Sequence, residues 1–543
     1  MTTPSRPALL VEPLPAETSI EILAARAIRS PDALAFGVGG ETISYGALWE
    51  DARRLAGALA ARGLGPGHRC ALVLPTSLDF VRALFAAQLT GAAPVAIDPR
   101  LSAERTARLL GGLRCADVLT AEGIAALRDL PPSRGLAVPP PGPADPAFLQ
   151  LTSGSTGEPR AAVILQSSLM AALRAALERL AVREDDVLVA WIPLHHNVGL
   201  VRFVFGALYF GRPAHLVPPS ATNLRAWLET ASRVRATITG SPDFGYRVAA
   251  QTVDPRGLDL RALRIAVNGG EAVRRSTIEQ FERRFGLEGV VRPAYGLTEA
   301  TMGVSLLAPG EPLRYDAAGA ASCGRPYPGV EVRIAGEDGG PMPPGENGEI
   351  LVHGATLFAG YFDDPAGTRE ALRDGWMWTG DLGRLDADGY LYVSGRRRTL
   401  IKRAGAPVFP SEVEEIVAGV AGVVAAAAVG IPGRTLTGSE DLAVVAEVRA
   451  TRAGSDDTLA ELAGAIAQAV ARALGFAPAR VVLVTPDALP RTPSGKVVHA
   501  ELRQSLLDGA LAGGGAVLLA LPDVSPLPAR EGPPEGAPPA GRP

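Results

Sequence analysis

Cysteine is scarce in this 543-residue sequence, which contains only Cys70, Cys115 and Cys323. The three lie far apart and lack the close spacing of metal-binding pairs, which excludes a disulfide framework and favours a reducing, cytoplasmic location. No apolar run reaches the roughly 18 residues that a membrane-spanning helix needs, so we expect no transmembrane segment. The first residues lack the charged start and apolar core that are typical of a signal peptide.

Strong charge of either sign is also missing. The formal net charge is −4 at pH 7 and no basic stripe is interleaved with aromatic residues, so nucleic acid is not an expected partner. Hydrophobic residues, in contrast, make up 47% of the chain, enough to fill large buried cores. We therefore expect a folded globular protein, and its length indicates roughly two to four domains.

Strand-like and helix-like segments alternate along most of the chain, as in residues 69–97, where a helix separates two strands. This alternation predicts an α/β fold with parallel sheets flanked by helices. Beyond about residue 395 the pattern becomes that of a small α+β lobe. We expect a large domain of mixed and parallel sheets at 1–395, a small mobile C-terminal lobe at 396–521 and a disordered Pro- and Gly-rich tail at 522–543.

A segment rich in hydroxyl groups and glycines is the most informative local feature. It consists of Thr152, Ser153, Gly154, Ser155, Thr156 and Gly157. Glycines allow backbone N–H groups to turn towards an anion, and the hydroxyls add donors. The segment therefore predicts a phosphate-binding loop, although it lacks the Gly-Lys-Ser/Thr ending of a Walker loop. Taken alone, it leaves open the alternative of a flexible surface turn.

Four further motifs follow in the chain. They are WIPLHHNVGL at 191–200, YGLTEA at 295–300, WTGDLG at 378–383 and PRTPSGK at 490–496. With the hydroxyl- and glycine-rich loop, they resemble the motifs of the adenylate-forming superfamily, which includes acyl-CoA synthetases, stand-alone adenylation domains, luciferases and fatty-acyl-AMP ligases. The resemblance runs from about residue 17 to residue 506. It implies an enzyme that activates a carboxylic acid with ATP and Mg²⁺.

The resemblance implies a role for individual residues. The loop at 152–157, with Arg160 behind it, would hold the ATP phosphates, and Thr156 and Glu299 would support the magnesium ion, which prefers hard oxygen ligands. Tyr295 would stack on the adenine, and Asp381 would accept hydrogen bonds from the ribose hydroxyls. The other residues of the implied nucleotide site are Asn268, Gly269, Gly270, Glu271, Gly296, Thr298 and, on the ribose side, Arg396.

Lys496, Glu299 and His196 are the catalytic residues that the resemblance implies. The acid would attack the α-phosphorus and expel pyrophosphate, with Lys496 bridging the carboxylate, the α-phosphate and the ribose. A thiol would then cleave the acyl-adenylate and release AMP, after the small lobe has rotated about Arg398 as the hinge. Each of three residues also has a structural interpretation when it is considered alone. Tyr295 could be a core tyrosine, Glu299 a solvated helix residue and Lys496 a surface lysine.

Within the superfamily, local features favour the fatty-acyl-AMP ligases. The segments that resemble theirs lie at 241–246, 268–273, 293–301 and 322–326. This implies a medium- or long-chain fatty acid, with His195, His196, Tyr246 and Gly296 at the acid. In the 191–200 motif, His195 replaces an aromatic residue and Asn197 replaces an aspartate. A satisfied core histidine is the alternative for His196.

Several departures from the fatty-acyl-AMP ligases bear on the thiol acceptor. Only residues 306–321 separate Ser305 from Ser322, so the long insertion that hinders the CoA reaction in those enzymes is short or missing. Arg160 replaces the usual lysine, with planar donor geometry, and Thr399 stands where an acidic residue usually follows the hinge. Gly405 matches a glycine of the pantetheine tunnel and suits either acceptor.

The balance narrowly favours transfer to an acyl or peptidyl carrier protein, with free CoA as the alternative. An amino-acid-activating enzyme is less favoured because no convincing Phe-Asp pair is present to hold a substrate ammonium group. A non-catalytic binding protein on the same scaffold is also less favoured, because Lys496 and Glu299 are both retained.

Overall fold

The computed structural model describes residues 10–128, 141–152, 159–219, 224–316, 319–403, 406–433, 440–448, 456–491, 497–513 and 517–521. Several predicted features lie outside these ranges: most of the phosphate loop (Ser153, Gly154, Ser155, Thr156 and Gly157), Gly405, Lys496 and the tail at 522–543. Among the helices that are described, none combines the length and apolar character required to cross a membrane.

The strands are, in chain order, β1 (Leu34–Val38), β2 (Glu41–Ser44), β3 (Arg69–Val73), β4 (Ala93–Ile97), β5 (Asp117–Leu119), β6 (Pro146–Thr152), β7 (Arg160–Leu165), β8 (Leu188–Ala190), β9 (Ala214–Leu216), β10 (Ile238–Ser241), β11 (Ile265–Gly269), β12 (Val291–Tyr295), β13 (Ser305–Leu306), β14 (Arg325–Pro326), β15 (Val330–Ala335), β16 (Gly348–Gly354), β17 (Gly360–Tyr361), β18 (Leu372–Arg373), β19 (Trp376–Leu385), β20 (Leu391–Arg396), β21 (Ile401–Arg403), β22 (Ala406–Val408), β23 (Val423–Pro432), β24 (Glu440–Val448), β25 (Arg480–Val484) and β26 (Val517–Leu521).

The α-helices are α1 (Ser19–Arg29), α2 (Tyr45–Ala61), α3 (Leu78–Leu89), α4 (Ala103–Gly112), α5 (Ala121–Arg128), α6 (Gln166–Arg179), α7 (Gly206–Phe210), α8 (Leu224–Arg233), α9 (Asp243–Thr252), α10 (Arg275–Phe285), α11 (Pro365–Ala371), α12 (Pro410–Ala418), α13 (Asp456–Leu474), α14 (His499–Leu507) and α15 (Ala510–Gly513). A π-helix spans Val198–Phe205, and a short 3₁₀ helix spans Thr298–Ala300.

Hydroxyl and carboxylate side chains set the starts of several helices. Thr18, Ser44, Ser77 and Ser102 precede α1 to α4, and each side chain accepts a backbone N–H of the first helical turn. Asp364 does the same for α11, where Pro365 occupies the first helical position. These caps satisfy N–H groups that have no partner within the helix, so the local sequence determines where these helices begin.

The chain divides into two compact units, with the division between Arg397 and Arg398. The sequence places the corresponding boundary between residues 395 and 396. Arg396 belongs to the large unit because it ends β20 and is the cross-strand partner of Asp381 on β19. Arg398, the predicted hinge residue, is the first residue of the small unit.

Two mixed sheets form the centre of the large unit. One has the order β14-β13-β12-β11-β10-β8-β9-β1-β2, and it is parallel from β12 to β1. The other has the order β17-β7-β6-β4-β3-β5, with parallel pairing from β6 to β5. The predicted α/β class, with parallel and mixed sheets in a large N-terminal domain, is therefore confirmed.

Antiparallel additions modify this pattern in places that the alternation does not predict. β15, β16, β18, β19 and β20 form an antiparallel sheet. The strand β7, which the sequence did not predict, follows the phosphate loop directly and pairs antiparallel with β6. The loop thus joins two strands of a hairpin, and the helix α6 follows β7 from Gln166.

The small unit contains a four-stranded sheet in the order β23-β24-β25-β26 and a two-stranded ribbon of β21 and β22. Alternate residues of β23 contribute to different apolar clusters: Ala426 and Ala428 pack with α12 and α13, while Ala425 and Ala427 pack with α14. This alternation is the period-two pattern of a strand that is buried on both faces. A small C-terminal α+β domain was predicted, and the structure confirms it.

Candidate active site

The phosphate loop is anchored by the β6–β7 hairpin. Thr152 and Arg160 are cross-strand partners at its two ends, and the Thr152 hydroxyl donates to the Arg160 carbonyl oxygen at 3.4 Å. Because the loop residues between them lie outside the described ranges, their contacts stay a prediction. The hairpin brings the two ends of the loop together beside β17, which pairs with β7.

Glu299 lies in a small polar cluster with residues from β7 and β17. The Tyr361 hydroxyl donates to Glu299 Oε1 at 2.7 Å, and the Arg160 guanidinium lies 5.2 Å from the centre of the Tyr361 ring. Arg160 also forms an ion pair with Asp364, with Nε 3.2 Å from Oδ2. Tyr361 and Asp364 were missed at the sequence level, because only the pairing of β17 with β7 brings them to this position.

The cluster favours Glu299 as a carboxylate that accepts hydrogen bonds. Desolvation raises the pKa of its carboxyl group above the ordinary value, and the hydrogen bond from Tyr361 acts in the opposite direction by stabilising the ionised form. Its backbone is held as well, since the Phe358 N–H donates to the Glu299 carbonyl oxygen at 2.8 Å. The carboxylate is therefore oriented by contacts on both its main chain and its side chain.

Tyr361→Phe is expected to raise the magnesium concentration needed for half-maximal activity by on the order of tenfold, if Glu299 supports the ion. The change removes the hydroxyl that orients the carboxylate, and partners of metal ligands contribute on this scale. Glu299→Gln should raise the requirement further, because it removes the charge itself. Magnesium titrations of pyrophosphate release measure both effects. Wild-type magnesium dependence in Glu299→Gln would make the carboxylate structural.

A second polar cluster contains Tyr295, Asp381 and Arg396, with Asp381 in contact with the other two residues. The Tyr295 hydroxyl donates to Asp381 Oδ2 at 2.7 Å, and Arg396 Nε lies 3.0 Å from Asp381 Oδ1. Asp381 is buried, whereas the Arg396 side chain is 63% exposed. Burial and the adjacent carboxylate together raise the pKa of Tyr295 well above its ordinary value, and Asp381 raises the pKa of Arg396. Three predicted nucleotide-site residues from distant parts of the sequence are thus in direct contact.

Two glycines of the implied site are required by backbone geometry. A Cβ on Gly296 would lie 1.6 Å from the Met302 carbonyl oxygen, so no larger residue fits between Tyr295 and the 3₁₀ helix without a backbone shift. Gly270 has φ +90°, a conformation that favours glycine. Gly269 and Thr298 flank these turns, at the end of β11 and the start of the 3₁₀ helix.

Asn268 and Glu271 belong to a buried polar network around Asp243. Asn268 Nδ2 donates to Asp243 Oδ1 at 3.0 Å, and the Phe244 N–H donates to Glu271 Oε1 at 2.5 Å. The Thr277 hydroxyl donates to the other Asp243 oxygen at 2.9 Å. Burial raises the pKa of Glu271, and the nearby Asp243 adds to this effect. The network fixes the turn that follows β11.

The residues predicted to contact the acid, unlike those of the nucleotide site, have separate polar partners and form no common cluster in the described contacts. His195 Nε2 lies 3.6 Å from Asp98 Oδ2, and burial lowers the pKa of His195 even though Asp98 opposes this. His196 Nδ1 accepts the Val198 N–H at 3.3 Å. Tyr246 is fully buried, and its hydroxyl donates to the backbone carbonyl of Val267 on β11 at 3.1 Å. Its contact with an acid substrate stays a prediction.

The segment that carries Lys496 is closed at its base within the small unit. The Val498 N–H donates to the Pro490 carbonyl oxygen at 2.8 Å. Arg491 Nη2 lies 2.9 Å from Oε2 of Glu447, a buried residue of β24. A partly buried ion pair therefore attaches the start of this loop to the sheet. Lys496 itself lies outside the described residues.

Comparison with protein-family models identifies the family to which the fold and the motifs belong. The AMP-binding enzyme model matches residues 23–134 and 113–362, and the model of the AMP-binding enzyme C-terminal domain matches residues 412–496. The chain belongs to the AMP-binding enzyme family. The resemblance to the adenylate-forming superfamily, predicted from the motifs, is thereby confirmed, and this AMP-binding enzyme is an adenylate-forming ligase.

Relatives of this AMP-binding enzyme match it over nearly their whole length. A feruloyl-CoA synthase from Amycolatopsis is 32% identical over 494 residues, covering 88% of this chain and 97% of the relative. A sulfoacetate–CoA ligase from Cupriavidus necator is also 32% identical, covering 90% and 98%. A solved structure from a study of fatty acyl-adenylate ligases of E. coli and L. pneumophila aligns with a TM-score of 0.81 and 27% identity, covering 92% of this chain and 100% of that one.

Proposed function

We propose that this enzyme uses ATP and Mg²⁺ to convert a carboxylic acid into an acyl-adenylate, with release of pyrophosphate, and then transfers the acyl group to a phosphopantetheine thiol. The observation that carries the proposal is the contact of Tyr295 and Arg396 with Asp381, because it joins the motifs at 295–300 and 378–383 with the arginine implied on the ribose side. A carboxylate can accept about four hydrogen bonds, so Asp381 retains capacity for ribose hydroxyls.

Glu299 suits the magnesium ion. Mg²⁺ that is bound with nucleotide phosphates needs only one or two protein carboxylates, and Glu299 is already oriented by Tyr361. When bound, the ion would neutralise charge on the phosphates. Arg160 supplies a further positive charge at the end of the phosphate loop, next to the ring of Tyr361. These residues would hold the triphosphate in place for attack by the acid.

Free CoA is the acceptor that we propose. The sequence features at 241–246 and 268–273 favour a carrier protein, but relatives with 32% identity over most of their length are named as CoA ligases. The short segment at 306–321 also lacks the insertion that hinders CoA. A carrier protein is the second candidate, favoured by the likeness to the fatty acyl-adenylate ligase structure.

The acid is the least defined part of the reaction. The motifs favour a medium- or long-chain fatty acid, whereas the named relatives act on acids as different as ferulate and sulfoacetate. Pyrophosphate release should therefore be measured over a panel of fatty, aromatic and substituted short acids, with CoA and with a carrier protein. We expect acid-dependent release and an acyl-CoA product. Absence of release with every acid, from folded protein that binds ATP, would contradict the proposal.

A further inference from the structure

A single arginine interrupts an otherwise apolar helix in the large unit. The π-helix Val198–Phe205 has the sequence VGLVRFVF and begins two residues after the second histidine of the 191–200 motif. Arg202 is only 4% exposed, and the helical residues on both sides of it are buried. π-Helices are rare and frequently mark functional sites. A guanidinium in apolar surroundings requires polar partners, because an unpaired buried charge is strongly disfavoured.

Arg202 has few such partners. Its Nη2 donates to the Tyr327 hydroxyl at 3.2 Å. Its Nε and Nη1 atoms are buried, and neither has a hydrogen-bond partner in the parts of the chain that the structure describes. In contrast, the guanidinium of Arg264 pairs with the carboxylate of Asp186. Since a guanidinium presents five N–H groups in a rigid fork, Arg202 has donor capacity that its described neighbours do not use.

Tyr327 connects Arg202 to the nucleotide site. The Tyr327 N–H donates to the Val304 carbonyl oxygen at 2.9 Å, and the Val304 N–H donates to the Tyr295 carbonyl oxygen at 3.0 Å. The Tyr327 ring packs on Gly303, where a Cβ would lie 2.8 Å from Cε2. Gly303 in turn lies against Gly296, with its Cα 3.2 Å from the position of a Gly296 Cβ. Arg202 is therefore only a few contacts from the residue that follows Tyr295.

The charge of the same guanidinium acts on Tyr246. Burial raises the pKa of Tyr246 well above its ordinary value, and the positive charge of Arg202 acts in the opposite direction. Tyr327 thus contacts Arg202 directly, and Tyr246, 81 positions earlier in the sequence, lies within the range of its charge. One of them is a predicted acid-contacting residue.

We propose that Arg202, held by Tyr327, recognises a second anionic oxygen group at the far end of the acid substrate, such as a carboxylate or sulfonate. The proposal rests on the proposed function, because it gives the substrate class of the same acid site. Arginine binds such groups with two parallel N–H donors, which are the donors that Nε and one terminal nitrogen supply. A plain alkyl chain would leave these buried donors without partners.

The test compares acids that differ only in the second acidic group: adipate with hexanoate, and terephthalate with benzoate. Pyrophosphate release by wild-type enzyme should give a higher kcat/KM for the diacid of each pair. Arg202→Met keeps a long side chain but removes the charge, and it should lower the diacid-to-monoacid ratio of kcat/KM by roughly 10²-fold. Arg202→Lys, with one charge but no fork, should give an intermediate ratio.

Arg292→Met is the matched control. Arg292 is also a buried arginine, but it donates to the backbone carbonyls of Gly289 and Glu311, so its loss should lower the thermal stability without changing the ratio. If Arg202→Met lowers both acids of a pair equally, Arg202 is structural and this inference is overturned. A wild-type preference for hexanoate and benzoate overturns it as well, while leaving the proposed function intact. Failure of the proposed function would appear instead as no release with any acid.

Discussion

Lys496→Ala is expected to lower the rate of acyl-adenylate formation by roughly 10²-fold or more, the scale on which one preorganised charged donor acts. The chain contains only two lysines, Lys402 and Lys496, among 53 basic residues. The presence of a lysine at 496, in a chain whose other basic residues are almost all arginine, indicates that this position needs a compact ammonium charge on a flexible stem and not a planar guanidinium. The base of its loop is held by the Arg491–Glu447 ion pair.

Measuring the two half-reactions separately distinguishes a specific role of Lys496 in adenylate formation from a general loss of activity. Adenylate formation is measured as pyrophosphate release from acid and ATP, and thiol transfer is measured as acyl-CoA formation from a pre-made acyl-adenylate. The second should be affected far less than the first. Lys402→Ala, which removes the same charge from an exposed position of β21, is the control and should leave adenylation much closer to wild type. Equal losses in both half-reactions would contradict the assignment of Lys496.

Asp381→Ala is expected to weaken ATP binding by roughly 10- to 10²-fold, because each hydrogen bond to a charged group contributes about 1.5–3 kcal/mol. The change removes the acceptor for the ribose hydroxyls and also the partner of Tyr295 and Arg396. The Tyr295 hydroxyl, which is buried, then loses its acceptor, so the free energy of unfolding should fall by about 1–3 kcal/mol. Calorimetric ATP titration and denaturant unfolding measure the two effects.

A pair of variants at Tyr295 distinguishes the nucleotide contact from the structural one. Tyr295→Phe keeps the ring and removes only the hydrogen bond to Asp381, so ATP affinity should stay within about tenfold of wild type. Tyr295→Ala also removes the ring, and loss of stacking on a base costs about 1–3 kcal/mol more. Identical ATP affinities for the two variants would show that the ring does not stack on adenine.

The fold class and family could be predicted from the sequence because the signals are local. The alternation of strands and helices predicted parallel sheets, and short motifs with glycines, hydroxyls and a few charged residues predicted an adenylate-forming enzyme. The same locality explains what was missed. The strand β7 is six residues long and follows the phosphate loop directly, so its short apolar run gave no strand-specific period that separates it from the helix behind it.

The composition of the site depended on the tertiary structure. Tyr361 contacts Glu299 only because β17 pairs with β7, and nothing in the residues around position 361 indicates that partner. The position of Arg202 inside an apolar π-helix has the same origin, since burial and the absence of a described partner for two of its nitrogens are properties of packing.

The sequence by itself thus determined the family and the fold class, since glycine geometry, hydroxyl donors and apolar periodicity act over a few residues. Only the tertiary structure decided which side chains surround Glu299, Asp381 and Arg202. The reason is physical: hydrogen bonds and ion pairs depend on distances between atoms, and residues as far apart as Tyr295 and Asp381 reach 2.7 Å only when separate sheets pack together.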